Sequence, residues 1–411
     1  MRSHTLVFLT LSALYVFSSL TSMAIMNIGA GLLLLWTAAH SLKNRTFPLP
    51  SFLKDRFLIV SFFALFLSIV CSLIVHYFWP ANFHGAQVPN GNEWRAFAKL
   101  WVFLIPPALA TTLFQIPESS RKIVYRVWLL SSVIVAILAL QQVFTFWPRG
   151  RENPQLLGFA HADALFGHHL SYANIMIFPF FALLHSTWSA FKARKPFVMR
   201  TLLLLASVIS LTALFFTYSR ILWAVLPIVL LLWMWLRLPK RYATALSFIA
   251  GLFLTGLLFL PQIQSRITTP MGHNDRFQLW ALNLKFFKEH PLFGVGFRQG
   301  EPLSYLYFHD ILKQPEHFSG HAHNLYLEQL STTGAFGLFA LILCIASLIH
   351  IGVRVYRSSP SSTALEWILA LSVALASGLT QNNFWETKVT HQWIIAFCLM
   401  VVFRNTKEVP Q

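Results

Sequence analysis

Twelve apolar runs decide what this chain can fold into. They fall at about 5–20, 23–40, 57–76, 98–114, 127–147, 170–187, 201–217, 221–236, 243–261, 334–352, 365–380 and 390–403, to be compared with the roughly 20 residues an α-helix needs to cross a bilayer. Backbone amides in hydrocarbon must be paired within the segment, so runs of this kind are expected as helices. The last run is short, and the first two, joined by Thr21 and Ser22, fit either a tight hairpin or one broken segment. The expected fold is all-α, a polytopic integral membrane protein with about twelve transmembrane helices. Composition agrees, since 56% of the 411 residues are hydrophobic and only 11% charged, against about a quarter charged in soluble domains.

The formal charge of +17 does not point to nucleic acid, because the basic residues arrive in short clusters between apolar runs, as orientation signals do. Lys43, Arg45, Lys54 and Arg56 share one loop. Further clusters are Arg121, Lys122 and Arg126; Lys192, Arg194, Lys195 and Arg200; Arg237, Lys240 and Arg241; and Arg354 and Arg357. With twelve spans all of these fall on one side, which the positive-inside rule makes cytoplasmic, together with both termini. Loops 77–97, 148–169, the turn near 218–220, loop 262–333 and loop 381–389 then face the periplasm or exterior. The chain divides accordingly into 1–261 with nine spans, a large, partly helical loop domain at 262–333, and 334–411 with three spans and a tail. Cys71, Cys344 and Cys398 lie inside apolar runs, which supports neither a disulfide framework nor a cysteine metal site. The first run leads straight into the second, so no cleavable signal is expected.

The outer loops hold most of the histidines and carboxylates, which makes the outer face the working face. The stretch Gly320–Gly337, GHAHNLYLEQLSTTGAFG, places His321 and His323 just before a helical pattern that Asn324 can cap. A neutral imidazole at a helix N-terminus suits proton abstraction near neutral pH, although a histidine pair in a loop is also ordinary solvated surface. Loop 148–169 brings Arg149, Arg151, His161, Asp163, His168 and His169 to the same surface.

Loop 262–333 is too long for a bare connection. Within it Asp275 fits an N-cap, and Phe277, Trp280, Leu284 and Phe287 recur on one helical face until His290-Pro291, an amphipathic helix on the membrane or over a cavity. Arg276 in its first turn opposes the helix dipole, so it serves either a ligand or lipid phosphate. Arg220 is a lone cation between two long apolar runs on the outer side; an anionic ligand, a carboxylate or lipid phosphate would partner it. Gly294-Val295-Gly296 reads as a turn without nucleotide-loop context.

The outer loops contain no D-x-D, D-x-E or E-x-D, the compact acidic motif that holds a divalent cation at a diphosphate. Arg220 and Arg276 could instead neutralise a diphosphate by forked hydrogen bonds while a histidine accepts a hydroxyl proton. His317, His321 and His323 in HFSGHAH offer imidazoles to zinc, but no carboxylate or cysteine completes a set, and the expectation is no metal and no cofactor.

The pattern His323-Asn324, nine residues, then Gly334-x-x-Gly337 resembles the His-Asn-x9-Gly-x-x-Gly motif of O-antigen ligases, integral membrane glycosyltransferases that complete lipopolysaccharide. Tyr218-Ser219-Arg220 and Asp275-Arg276-Phe277-Gln278-Leu279-Trp280 resemble further motifs of that family, and Phe166-Gly167-His168-His169 resembles a less specific one. The hydropathy of nearly the whole chain resembles the wider group of O-antigen ligases, O-antigen polymerases and O-oligosaccharyltransferases. The resemblance implies a fold like the GT-C lipid-dependent glycosyltransferases of the bacterial inner membrane, with a periplasmic active site. It implies that His323, Arg220 and Arg276 are the catalytic residues; beside them Arg149, Arg151, His168, His169, Trp280, His321, Asn324 and Lys388 are the substrate-binding candidates of the outer face. It implies an undecaprenyl-diphosphate-linked polysaccharide as donor and a sugar hydroxyl of lipid A-core as acceptor, with membrane lipids as the other partners and metal-independent, inverting transfer. A polymerase or protein O-oligosaccharyltransferase differs only in acceptor. A lipid-linked glycan transporter is disfavoured because the spans are almost free of charge, Glu366 near one end being the exception.

Overall fold

The computed structural model describes residues 3–45, 54–88, 91–147, 159–268, 273–314 and 320–403. Helix covers most of each of the twelve apolar runs, the fourth being divided between a 3-10 segment and an α-helix. The order is α1 (Ser3–Ser19), α2 (Met23–Asn44), α3 (Arg56–Phe78), a two-residue hairpin of β1 (Asn82–Phe83) and β2 (Ala86–Gln87), then α4 (Asn92–Phe97). A 3-10 segment (Ala98–Leu104) leads into α5 (Ile105–Gln115), followed by α6 (Glu118–Thr145), α7 (His169–Lys192), α8 (Phe197–Phe215), α9 (Arg220–Arg237), α10 (Lys240–Leu257) and α11 (Pro261–Thr268). After α12 (His273–Glu289) and α13 (Gly300–Leu306) come α14 (Leu325–Ser358), α15 (Ala364–Ser377) and α16 (Thr387–Val402). Among the described residues, eight helical segments are long and apolar enough to cross a membrane, and α1, α15 and α16 are shorter apolar helices. The chain is an all-α, multi-pass membrane protein.

The first pair of runs forms a hairpin. Ser22 caps α2 by accepting from the Ile25 amide, and α1 packs against α2. Across the bundle, hydroxyls and amides join the helices where no hydrophobic force distinguishes protein from lipid. Ser61 of α3 donates to Ser347 of α14 at 2.7 Å, Thr37 of α2 meets Thr112 of α5 at 3.0 Å, and the Trp128 indole donates to Gln392 at 3.0 Å.

Outside the bundle, a satellite core gathers Ala81, Phe83, Ala86 and Val88 of the hairpin with Leu279, Leu282 and Phe286 of α12. This corrects the expected face of α12. The helix starts at His273, so Asp275 lies in its first turn rather than at the cap. Leu279, Leu282, Asn283 and Phe286 are the buried positions, while Phe277 and Leu284 of the expected stripe are 61% and 45% exposed. The helix carries apolar side chains on two faces, and the covered one packs on Phe83 of the hairpin and, through Asn283, on Ser331 of α14.

Gly334 is the point at which α14 breaks. It interrupts α14 with φ 70° and ψ −172°, a region open to glycine, which breaks the helical hydrogen bonds around it. The segment 291–296 supplies the missing partners. Val295 and Gly296 donate to the carbonyls of Ser331 and Thr332, and the amides of Ala335 and Phe336 donate to Pro291 and Leu292. A Cβ on Gly334 would lie 2.2 Å from the Leu292 backbone, and one on Gly294 would lie 2.3 Å from that of Thr332. The Gly294-Val295-Gly296 turn is therefore a backbone insert in the α14 kink. Gly337 is crowded by Thr333 within its own helix.

Glu366 anchors the end of the bundle opposite the histidines. Arg237 donates to both of its oxygens at 2.7 Å, the Trp233 indole donates at 3.0 Å, and His185 Nδ1 lies at 3.1 Å. Arg237 and Glu366 are 4% and 1% exposed, so removing one partner strands a buried charge at a cost of about 3–5 kcal/mol. Arg237→Ala is expected to lower the thermal unfolding midpoint of the detergent-solubilised protein; an unchanged midpoint would contradict this anchoring role. The one carboxylate that hydropathy left within the spans is thus an interhelical clasp.

Candidate active site

Four helix N-termini converge at the histidine end. His168 occupies the N-cap position of α7 and His169 opens the helix; Arg220 is the first residue of α9; Arg276 lies in the first turn of α12; and Asn324 caps α14 directly after His323. Asn324 Oδ1 accepts from the amides of Tyr326 and Leu327 at 3.0 Å each, as its position before the apolar pattern predicts. The same side chain donates to the Leu379 carbonyl at 3.1 Å, and the Leu325 amide donates to Gly378 at 2.7 Å. The α14 terminus is thereby fastened to the end of α15.

Electrostatics show that the side chains on these termini share one site. Arg276 is pulled below the ordinary arginine range by burial and then by the charge of Arg220. His168 is lowered by burial, His321 and Arg276. His321 is lowered chiefly by burial, with Glu301 opposing and Arg276 adding to the shift. His323 is pushed down to about 3, first by burial and then by His321, Arg276 and His168. At neutral pH its imidazole is uncharged. Helix N-termini add partial positive charge to this group of cations and imidazoles, giving a place suited to an anion.

The His321–His323 segment is held at its middle. The Trp280 indole donates to the Ala322 carbonyl at 2.8 Å, and the Ala322 amide donates to the Glu328 carboxylate at 2.7 Å. This clamp accompanies a left-handed backbone at His323, φ 47°, which is uncommon for a side-chain-bearing residue and clusters at functional sites. The two imidazole centroids are 4.2 Å apart. Trp280 thus touches the loop through the Ala322 carbonyl. Glu328 was missed at the sequence level; its only signal was a lone acid within an otherwise apolar helical pattern.

Loop 159–168 is shaped by a second clamp. Gln142 in the last turn of α6 donates to Asp163 at 2.6 Å and accepts from the amides of Asp163 and Ala164. Ala162 donates to the Phe216 carbonyl, and His161 Nδ1 lies 3.1 Å from that of Thr217, which ties this loop to the turn before Arg220. His169 stacks at 4.0 Å from His161 and 4.9 Å from His168. Lys388 lies over the Phe166 ring at 4.7 Å, at the flank of the same loop. Arg149, Arg151 and His317 lie outside the described residues. Among the described residues no three His, Cys, Asp or Glu side chains are grouped to hold a metal.

Residues 205–342 match the family model described as O-antigen ligase, which supports assigning the chain to that family. The matched segment contains Arg220, Arg276, His321, His323 and Gly334. No protein of curated function matches the chain.

Proposed function

Proceeding from the O-antigen ligase match over residues 205–342, whose family comprises glycosyltransferase-like enzymes acting in general on lipid-linked polysaccharide and lipid A-core, we propose that this protein is a ligase. It transfers a polysaccharide from undecaprenyl diphosphate to a sugar hydroxyl of lipid A-core at the periplasmic face of the inner membrane. The observation that carries this reading is the convergence of Arg220, Arg276, His168, His321 and His323 on four helix N-termini.

The donor diphosphate rests against Arg220 and Arg276, whose guanidinium groups offer forked donors and stabilise charge as the leaving group departs. His323 takes the proton from the acceptor hydroxyl. The acceptor oxygen forms a bond to the anomeric carbon from the face opposite the breaking carbon–oxygen bond, and the electron pair of that bond leaves on the diphosphate with inversion. Asn324, Glu328 and Trp280 keep the histidine loop in place. Arg149, Arg151, His168, His169, His321 and Lys388 belong to the substrate surface.

His323 at about 3 is neutral but weakly basic, whereas a general base works best with a pKa near the working pH. The donor removes this mismatch. Its negative charge beside Arg276 and His321 favours the protonated imidazole and raises the affinity of His323 for a proton. Basicity is therefore supplied with the substrate.

Arginines in place of a metal make the transfer insensitive to chelation. Purified protein in proteoliposomes with lipid-linked polysaccharide and lipid A-core is expected to form capped lipopolysaccharide at an unchanged rate in excess EDTA; a rate abolished by EDTA and restored by one divalent cation would overturn the arginine assignment. A strain lacking the gene is expected to lose all capped lipopolysaccharide and to accumulate lipid-linked polymer. A single-repeat cap would instead identify a polymerase.

A further inference from the structure

The loop between α15 and α16 carries a chain of side-chain amides that all point one way. Asn383 donates to Asn174 of α7 at 2.9 Å, Asn174 donates to Gln381 at 2.7 Å, and Gln381 donates to the Glu386 carboxylate at 3.2 Å. Asn174, Asn383 and Gln381 are buried, and such a relay polarises each member toward the last. Glu386 stands at the N-cap position of α16, yet its side chain makes no capping bond. It turns instead to Gln381 and Ser171 and stays partly exposed. Burial raises its carboxyl above the ordinary carboxylate range, with the Ser171 hydroxyl, the Lys388 charge and the Gln381 amide opposing.

This loop is the common seat of two histidine-bearing helix ends. Ser171 and Asn174 lie in the first two turns of α7, directly behind His168 and His169. The terminus of α14, which follows His323, is fastened to the same segment at Gly378 and Leu379. Lys388, over the Phe166 ring, flanks it on the side of loop 159–168. The fold thus brings Glu386 to the histidine end, and the chemistry of His323 and the two arginines makes no use of it.

We infer that Glu386 binds a hydroxyl of the acceptor sugar other than the one that reacts, and so helps to select the acceptor. A carboxylate offers about four acceptor positions. Gln381 and Ser171 occupy two, and a sugar hydroxyl is a donor suited to the rest. In the same loop the Asn382 carbonyl oxygen is enclosed and has no partner among the described residues, a second acceptor for a hydroxyl. A carboxylate repels a diphosphate, and the charges keep the two apart: Lys388 acts on Glu386, whereas Arg220 acts on Arg276. Glu386 is also unlike a structural ion pair, since Gln381 and Ser171 are neutral donors, whereas Arg237 grips both oxygens of Glu366.

The identity of the acceptor rests on the ligase reading. The test is steady-state transfer in proteoliposomes, using lipid A-core acceptors whose terminal sugar lacks one hydroxyl at a time. Glu386→Gln is expected to raise the acceptor KM about 10–100-fold, the range for a hydrogen bond to a charged group, and to leave donor KM and the unfolding midpoint unchanged. On the wild type, one deoxy acceptor that still carries the attacking hydroxyl is expected to show the same rise. On Glu386→Gln that acceptor should lose nothing further, as a direct contact requires. Glu386→Asp keeps the charge but retracts it, and is expected to show a smaller rise; it carries the test if glutamine lowers the midpoint. The inference is overturned if acceptor KM is unchanged in both variants, if donor KM rises instead, or if the losses from variant and deoxy acceptor multiply for every hydroxyl. A wild type that extends only lipid-linked repeats removes the ligase reading, and the same KM comparison on that repeat then decides the role of Glu386.

Discussion

Replacement of His323 by alanine is expected to lower glycan transfer by about 10²–10⁴-fold, the range over which a positioned general base contributes, while the protein still inserts and unfolds at the wild-type temperature. The stability expectation follows from the clamp: Trp280 and Glu328 bond to Ala322 rather than to the imidazole, and Asn324 caps the helix. The pH profile discriminates this role from a passive one. In the free enzyme His323 sits at about 3, so its protonation does not cut kcat/KM until the medium is strongly acidic. With donor bound its pKa rises, so the acid limb of kcat is expected at higher pH than that of kcat/KM. A His323→Ala protein transferring at the wild-type rate would remove the base assignment. Coincident acid limbs would remove the substrate-supplied basicity.

Arg276→Ala is expected to cost about 10²–10³-fold in turnover, the scale seen when a preorganised charge-stabilising donor is lost, with weaker donor binding as well. Arg220→Ala should act in the same direction. Lysine at either position is expected to restore only part of the loss, since a compact ammonium lacks the forked geometry that matches phosphate oxygens. Arg276 has a second effect with a definite sign. It lowers the pKa of His323, so its removal should move the acid limb of kcat/KM upward even as the rate falls. Kinetics that left donor KM and kcat unchanged in both alanine variants would place the diphosphate elsewhere.

Much of this was legible along the chain because bilayer physics is local. An apolar run needs no partner to be committed to a helix, and helix covers most of each of the twelve runs. Asn324 was legible as a cap because capping is decided within four residues. The stretch around Arg220 stood out because a cation beside two apolar runs is rare. Other features were not legible. Either apolar face of α12 could have been buried, and the choice was made by distant partners, Phe83 of the hairpin and Ser331 of α14 among them. The α14 kink was not legible because nothing near Gly334 announces that residues 291–296 will occupy its broken hydrogen bonds. Glu328 and Gln142 carry no motif; each matters through backbone amides that the fold brings to it.

The sequence by itself determined a helical membrane protein and the residue types available for chemistry at one end of it, since hydropathy, capping and charge act over a few residues. Only the tertiary structure decided that His168, Arg220, Arg276 and His323 share one electrostatic environment. That outcome depends on where four separate helices begin in space, and long-range Coulomb forces and burial, unlike periodicity, have values only once those helices are packed.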